Sequence, residues 1–408
     1  MYSIKYFNKF ILYFFPIVST FFYRYIGFNN TVCKGVYFVF YIFLFIYICR
    51  DVWFRKKRPE GYYKSNCNQI IIILLVSSTM SFIFWQQSFL LSYRGAVGLW
   101  GHIIFYFFLL KAKFSIEDIE KFIKVQLIIY TCAYVFALYS APLPIYSGGI
   151  DGLELDDSRG VFRIFTPNRG FLLLGYVYFL NKWITSRLKF DGFITIGAFV
   201  LIVMLVERQI ILIFTLITLY CIFRRLKYIG IIIVISFFVI QDINVQFDSD
   251  SVVGSLLELS ENQISRQKLG DKDIRLQEYE YYFTKYSRNM FTVLFGNGQP
   301  HPESNLGLYE DRLHNMYKYY QSDVGYGQIF IVFGIVGLLV FMNLLFKVFR
   351  QKLDDRFYYA KMFMVYIAFG SIASSPFMSM LTVISVVLYV MDKSYFLNKT
   401  KKNKHSCL

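Results

Sequence analysis

The feature that most constrains this chain is a series of long apolar runs that no water-soluble core could absorb. Ile70–Phe84, Phe193–Val206 and Ile329–Phe346 are examples. Runs of that length with few charges read as spans of a hydrocarbon layer roughly 30 Å thick. Composition agrees, with 56% hydrophobic and 17% charged residues and a mean hydropathy of +0.45; a soluble domain carries about a quarter charged residues. Twelve apolar segments can be placed, near 8–23, 35–49, 69–91, 96–110, 122–141, 169–185, 192–206, 209–223, 228–241, 327–346, 358–373 and 377–392. Several are short, so flanking polar residues must snorkel or packing must support the helices. The expected fold is all-α, a polytopic transmembrane protein of about 12 spans. Residues 1–241 hold nine spans with a short outside loop at 142–169. Residues 242–326 form one large extracytoplasmic loop containing helices, 327–392 three further spans, and 393–408 a basic tail.

The formal charge of +16 does not imply nucleic acid, because Lys and Arg cluster at the ends of apolar runs. That is the pattern of cytoplasmic loops under the positive-inside rule. With both termini in the cytoplasm, the inside segments hold 28 basic residues and the short outside loops only 7. The long segment 242–326 is left out of that comparison, since long loops translocate largely regardless of charge. Residues 1–28 resemble a signal peptide, but no small-x-small cleavage site follows and further spans do, so the first span is expected to be retained. The six cysteines show no CxxC pattern, and segment 242–326 has none, which argues against a disulfide framework or a zinc site. HExxH, Walker A, GxSxG and glycine-rich nucleotide loops are lacking. No metal or cofactor is expected.

Under the charge bias the outside arginines are the informative residues. Arg208 lies in Val206-Glu-Arg-Gln-Ile-Ile-Leu-Ile213, at a hairpin between two apolar runs. A charge there is expensive and is by default a functional hypothesis, and the guanidinium fork suits phosphate oxygens. The structural alternative is a Glu207–Arg208 pair holding a tight turn. Arg163 and Arg169 flank Phe-Thr-Pro-Asn, where the 142–169 loop returns to the membrane past an acidic patch of Asp151, Glu154, Asp156 and Asp157. They are placed to bind an anionic headgroup or to snorkel; Arg94, in a very short turn, reads as structural. In the long loop, Arg275 opens the stretch Arg275-Leu-Gln-Glu-Tyr-Glu-Tyr-Tyr-Phe283, and His314 stands in Asp311-Arg-Leu-His-Asn-Met-Tyr-Lys318. An imidazole there suits a general base near neutral pH, though a lone histidine is more often structural. His301 reads as a turn residue, His102 as a packing group inside a span, and His405 as part of the tail.

Together these pieces resemble the O-antigen polymerase and ligase superfamily. Arg208-Gln-Ile-Ile-Leu212 is similar to the R-x3-L element at the outer end of a span. Arg275 through Phe295-Gly-Asn-Gly298 resembles that family's arginine, aromatic helix and FGxG segment. His314-Asn-x-Tyr317, then Ser322-Asp-Val-Gly325 and Phe333-Gly-Ile-Val-Gly-Leu338, resembles its HNxY and GIIGLL return to the membrane. Phe162-Arg-Ile-Phe-Thr-Pro-Asn168 is similar to its earlier outside-loop arginine element. The likeness touches roughly residues 160–340. Gln328 stands where the ligase branch often has Gly, Thr or Tyr, which favours the polymerase branch.

The resemblance implies a metal-independent glycosyltransferase on the outer face of the bacterial cytoplasmic membrane, joining polyprenyl-diphosphate-linked oligosaccharide repeat units into a surface polysaccharide. His314 would be the general base and Arg208 and Arg275 would stabilise the diphosphate leaving group. Arg163, Arg169, Asn315, Tyr317 and Asp323 would contact diphosphate or sugar. Partners would be the lipid-linked oligosaccharides and membrane lipids, with a chain-length regulator and a flippase as further candidates. The alternatives are a ligase moving finished glycan to another carrier, and a transporter or flippase for lipid-linked oligosaccharide. The last is weakened by span interiors that hold almost no charge.

Overall fold

The computed structural model describes residues 2–20, 30–54, 59–140, 153–156, 161–164, 168–205, 207–225 and 273–405. The expected ninth span at 228–241, residues 242–272 of the long loop and most of the 142–169 loop lie outside the described residues. The described chain is helical apart from one hairpin. Its helices are α1 (Tyr2–Ser19), α2 (Asn30–Cys49), α3 (Lys64–Trp85), α4 (Phe89–Ala112), α5 (Ile116–Ser140), α6 (Arg169–Ser186), α7 (Lys189–Met204), α8 (Arg208–Arg225), α9 (Ile274–Thr284), α10 (Met290–Phe295), α11 (Asn305–Tyr317), α12 (Gly325–Arg350), α13 (Tyr358–Gly370), α14 (Pro376–Ser379) and α15 (Leu381–His405).

Among the described residues, six helices are long and apolar enough to cross a membrane. They are Val32–Phe54, which continues α2 through a π-helical turn, and α3, α4, α5, α12 and Leu381–Thr400 of α15. This is a multi-span membrane protein. The expected segments at 8–23, 169–185, 192–206, 209–223 and 358–373 are helices as well, but shorter ones or less apolar. The 13 residues of α13 cover only about 20 Å at 1.5 Å per residue. The hairpin, unforeseen in an all-helical reading, pairs β1 (Leu153–Asp156) with β2 (Val161–Ile164) antiparallel. Leu-Glu-Leu-Asp alternates apolar and polar residues with the two-residue period of a strand.

The chain divides into two compact units, residues 1–22, 31–122 and 273–408, and residues 23–30 and 123–272. In the second unit α6 packs on α7. Lys182 Nζ binds the buried Asp191 at 2.8 Å, and the Tyr134 hydroxyl donates to Met204 O at 3.0 Å.

The first unit is a bundle in which α3 packs on both α4 and α12. Buried Ser77, Ser78 and Ser81 line α3, and small residues of this kind let helix backbones approach closely in a membrane. At one end, Asp392 of α15 accepts from Tyr63 N at 3.0 Å and from the Tyr106 hydroxyl. Lys347 Nζ donates to Asn66 Oδ1 at 3.1 Å and lies 4.2 Å from the centre of the Tyr62 ring. Gln351 accepts from the Tyr63 hydroxyl and donates to Met391 O at 2.9 Å. The expectation of nearly charge-free span interiors therefore has an exception at this end. These charges are tolerable because each has partners.

The decisive irregularity is in α12. Gly334 adopts φ 71°, ψ −171°, so the helix is broken about two turns from its start. In an unbroken helix the carbonyls of Ile331 and Val332 would accept from the N–H groups four residues on. Here the segment after α10 takes over. Asn297 N donates to Ile331 O at 2.8 Å and Gly298 N to Val332 O at 3.1 Å. The Asn297 side chain adds a bond to Ile331 O at 3.0 Å, donates to Ser287 Oγ at 3.1 Å, and accepts from Trp85 Nε1 at 2.8 Å. Gly296 and Gly298 have φ of 85° and 76°, and a Cβ on Gly296 would lie 2.1 Å from Val332 O. Only glycine fits both the left-handed backbone and that approach.

Asn297→Ala keeps the backbone bond to Ile331 O, removes the second, side-chain donor to that carbonyl and leaves the buried Trp85 Nε1 without its acceptor, an orphaned buried donor costing about 1–3 kcal/mol. The readout is a lower midpoint of thermal unfolding in detergent than wild type. An unchanged midpoint would show that the Asn297 side chain adds nothing to the hold on the break.

Candidate functional site

The helices after Asp273 build a layer on the first unit where α3 ends and α4 and α12 begin. Local sequence sets each of them. Asp273 caps α9, its carboxylate accepting from Arg275 N at 2.8 Å. Asn289 and Thr292 form a capping box on α10, and Ser304 caps α11 by accepting from Gly307 N at 3.0 Å; such caps satisfy the first free N–H groups of a helix. The turn before α11 is held by Gln87, a buried residue of the α3–α4 connection. It donates to Gln299 O at 3.1 Å and accepts from Ser304 Oγ at 2.6 Å and His301 N at 3.3 Å.

The inner surface of the layer is aromatic and acidic. Glu278 and Tyr282 lie four residues apart on one face of α9, followed by Tyr286, and all three are buried. Tyr286 donates its hydroxyl to Glu310 of α11, and the hydroxyls of Tyr281 and Tyr309 are 2.5 Å apart. The Tyr309 ring lies 5.0 Å from that of Trp85, which also carries the Arg288 guanidinium 3.7 Å from its ring centre. Burial pushes the Glu310 carboxyl up, against the opposing hydrogen bond from Tyr286. Burial likewise raises Glu278 from an ordinary 4.5 to about 7; donation from Tyr320 N and the charge of Arg275 pull the other way, while Asp323 and Asp273 add to the rise.

Five of the expected site residues come into this layer. Arg275 is exposed on the first turn of α9. His314 is half-buried on the last turn of α11, its ring 4.1 Å from that of Tyr320. Asn315 and Tyr317 are exposed beside it, and Tyr317 stacks on Tyr319 at 5.5 Å. Asp323 sits in the turn leading into α12 and accepts from Ser322 Oγ at 3.3 Å. The remaining three belong to the second unit. Arg169 opens α6 and forms an ion pair with Glu207, the carboxylate that the sequence alternative paired with Arg208. Arg208 is exposed at the start of α8. Arg163 stands on β2 opposite Glu154. His102 lies within α4 against Phe15 and Tyr41, and His301 Nδ1 accepts from Glu303 N in its turn at 3.3 Å.

The residues that sequence reasoning missed are Glu278, Tyr320, Gln87 and Asn297. The signal for Glu278 is its four-residue spacing to Tyr282 and Tyr286, a carboxylate on an otherwise aromatic face. Chemically the layer offers a half-buried imidazole, an exposed guanidinium on the adjoining helix and a carboxyl poised near neutrality. Perturbed carboxyls of this kind cluster at functional sites. Among the described residues, no group of three or more His, Cys, Asp or Glu side chains is placed to hold a metal ion. In comparisons with known proteins, no family model matches the chain and no curated protein is similar to it.

Tyr286→Phe is expected to strip the half-buried Glu310 carboxyl of one of its donors and raise it further. A carboxyl raised in the folded state contributes least once it must ionise, so stability falls as pH rises above its ordinary value. The drop in unfolding midpoint between wild type and variant is therefore larger at pH 8 than at pH 5. An equal gap at both pH values would show that Tyr286 does not support Glu310.

Proposed function

We propose that this protein is a polysaccharide repeat-unit polymerase of the cytoplasmic membrane. In this reading it is a metal-independent glycosyltransferase with about twelve spans, and the layer after Asp273 lies on the outer face. The donor is a growing glycan on a polyprenyl diphosphate, and the acceptor is the next lipid-linked repeat unit. The observation that carries the reading is the company His314 keeps: its ring rests on Tyr320, whose N–H is bound by Glu278, on the helix that Arg275 opens. A base and an anion-binding group thus share one layer at the end of a bundle of membrane helices.

The chemistry needs little else. The acceptor hydroxyl attacks the anomeric carbon as His314 takes its proton, and the bond to the diphosphate oxygen breaks. Arg275 balances the charge that develops on the leaving group, which is where fixed donors act most strongly, and the family resemblance gives Arg208 a like role. The membrane spans hold the lipid tail, so the reacting groups meet as an anchored pair.

In cells lacking the protein, His314→Ala is expected to lower chain extension about 10²–10⁴-fold, the range for a positioned base. Arg275→Ala and Arg208→Ala are expected to lower it about 10²–10³-fold, and Arg208→Lys is not expected to restore it, because an ammonium lacks the two-pronged fork. Surface glycan then falls to single repeats at unchanged protein levels. Full-length polymer from these variants would overturn the assignment. Long polymer left on the lipid carrier after gene loss would instead identify a ligase, and movement of lipid-linked substrate across reconstituted bilayers without chain growth would identify a transporter.

A further inference from the structure

Three hydrogen bonds donated by backbone N–H groups hold the strap between α11 and α12, residues 318–324. Lys318 N donates to His314 O at 3.0 Å, Asp323 N donates to Tyr320 O at 3.1 Å, and Tyr320 N donates to Glu278 Oε1 at 2.8 Å. The third bond ties the strap to α9 through a side chain, and that side chain is fully buried. Glu278 Oε2 and the neighbouring Tyr282 hydroxyl have no hydrogen-bond partner among the described residues. A buried carboxylate left half-satisfied in this way is costly to ionise.

We infer that Glu278 is a positioning residue for His314: by binding Tyr320 N it fixes the strap and seats the Tyr320 ring against the imidazole. The inference rests on the proposed role of His314 as the base. Glu278 does not reach solvent, so it acts through Tyr320 and not on substrate. The groups around it are Asp273, Arg275, Tyr279 and Tyr282 on its own helix, and Tyr319 and Asp323 from the strap. One arginine faces two aspartates, so the surroundings do not favour the charged form.

The sign of the pH effect follows. With the strap closed the carboxyl titrates at about 7; with it open, water returns it toward 4.5. Protonated Glu278 therefore keeps the strap closed. The hold is complete below the open-state value and is lost as pH rises through the closed-state value.

The test uses the full-length protein in detergent, with hydrogen exchange of residues 318–324 followed at pH 6 and pH 8 and corrected for intrinsic rates. In wild type, protection is expected to fall about tenfold between the two. Glu278→Gln, which keeps an acceptor but cannot ionise, is expected to show the same protection at both. PH-independent protection in wild type, or an equal fall in Glu278→Gln, would overturn the latch. Tyr320→Ala retains the backbone bond and removes the ring. It is expected to slow chain extension, with no further loss when combined with His314→Ala, since residues acting as one unit are not additive. Wild-type chain extension by Tyr320→Ala would overturn the link to His314. Full-length polymer from His314→Ala with the exchange pattern intact would sink the polymerase reading and leave the latch standing.

Discussion

The break in α12 at Gly334, and the segment that repairs it, is the constraint on which the first unit depends. Two carbonyls in the upper part of a membrane helix lose their helical partners there. In a medium without water each must find another donor or the helix does not form. Asn297 and Gly298 provide those donors. Asn297 also binds Trp85 at the end of α3 and Ser287 just past α9. One residue thereby locks α3, α10 and α12 together and places the end of α9. From that anchor the chain runs through Gln299 to the Gln87-held turn and on into α11. The position of His314 is thus a consequence of how a broken helix satisfies its backbone.

The two ends of the first unit manage polar groups in opposite ways. Around Asp392 and Lys347 nearly every polar atom named above has a partner, and the network fastens α15 and α12 to the segment before α3. Such a network specifies packing without offering chemistry. At the other end, Glu278 is buried and Glu310 half-buried among tyrosines, with fewer donors than their charged forms would use. A protein tolerates that deficit where it is coupled to something else, here the strap that carries the His314–Tyr320 contact.

Much of this was legible from spacing and charge alone. The expected segments at 35–49, 96–110 and 327–346 lie inside membrane-length helices and 122–141 overruns α5 by one residue, whereas 69–91 runs six residues past α3 and 377–392 begins four before α15. Phe295-Gly-Asn-Gly298 stood out as a unit, and its glycines prove to be required by positive φ and close approach. What was legible there was the pattern, not its job: nothing in the four residues announces that they complete a helix broken some 36 positions later in the chain. Glu278 escaped notice because a glutamate in a charged, aromatic stretch reads as solvated, and only the fold turns that face inward. Glu207 was read beside its chain neighbour Arg208, whereas the structure pairs it with Arg169, 38 residues away.

The sequence by itself determined that the chain lives in a membrane, because its apolar runs exceed what any water-soluble core can bury. It also marked which arginines and which histidine deserve an explanation, because they stand apart from the basic clusters at the ends of the apolar runs. Tertiary structure alone decided which groups meet: Asn297 with the broken helix, Glu278 with Tyr320, Tyr320 with His314. Those contacts join residues far apart in the chain, and their energy comes from satisfying buried polar groups. Periodicity and composition report on burial and length, and they carry no information about which donor finds which acceptor.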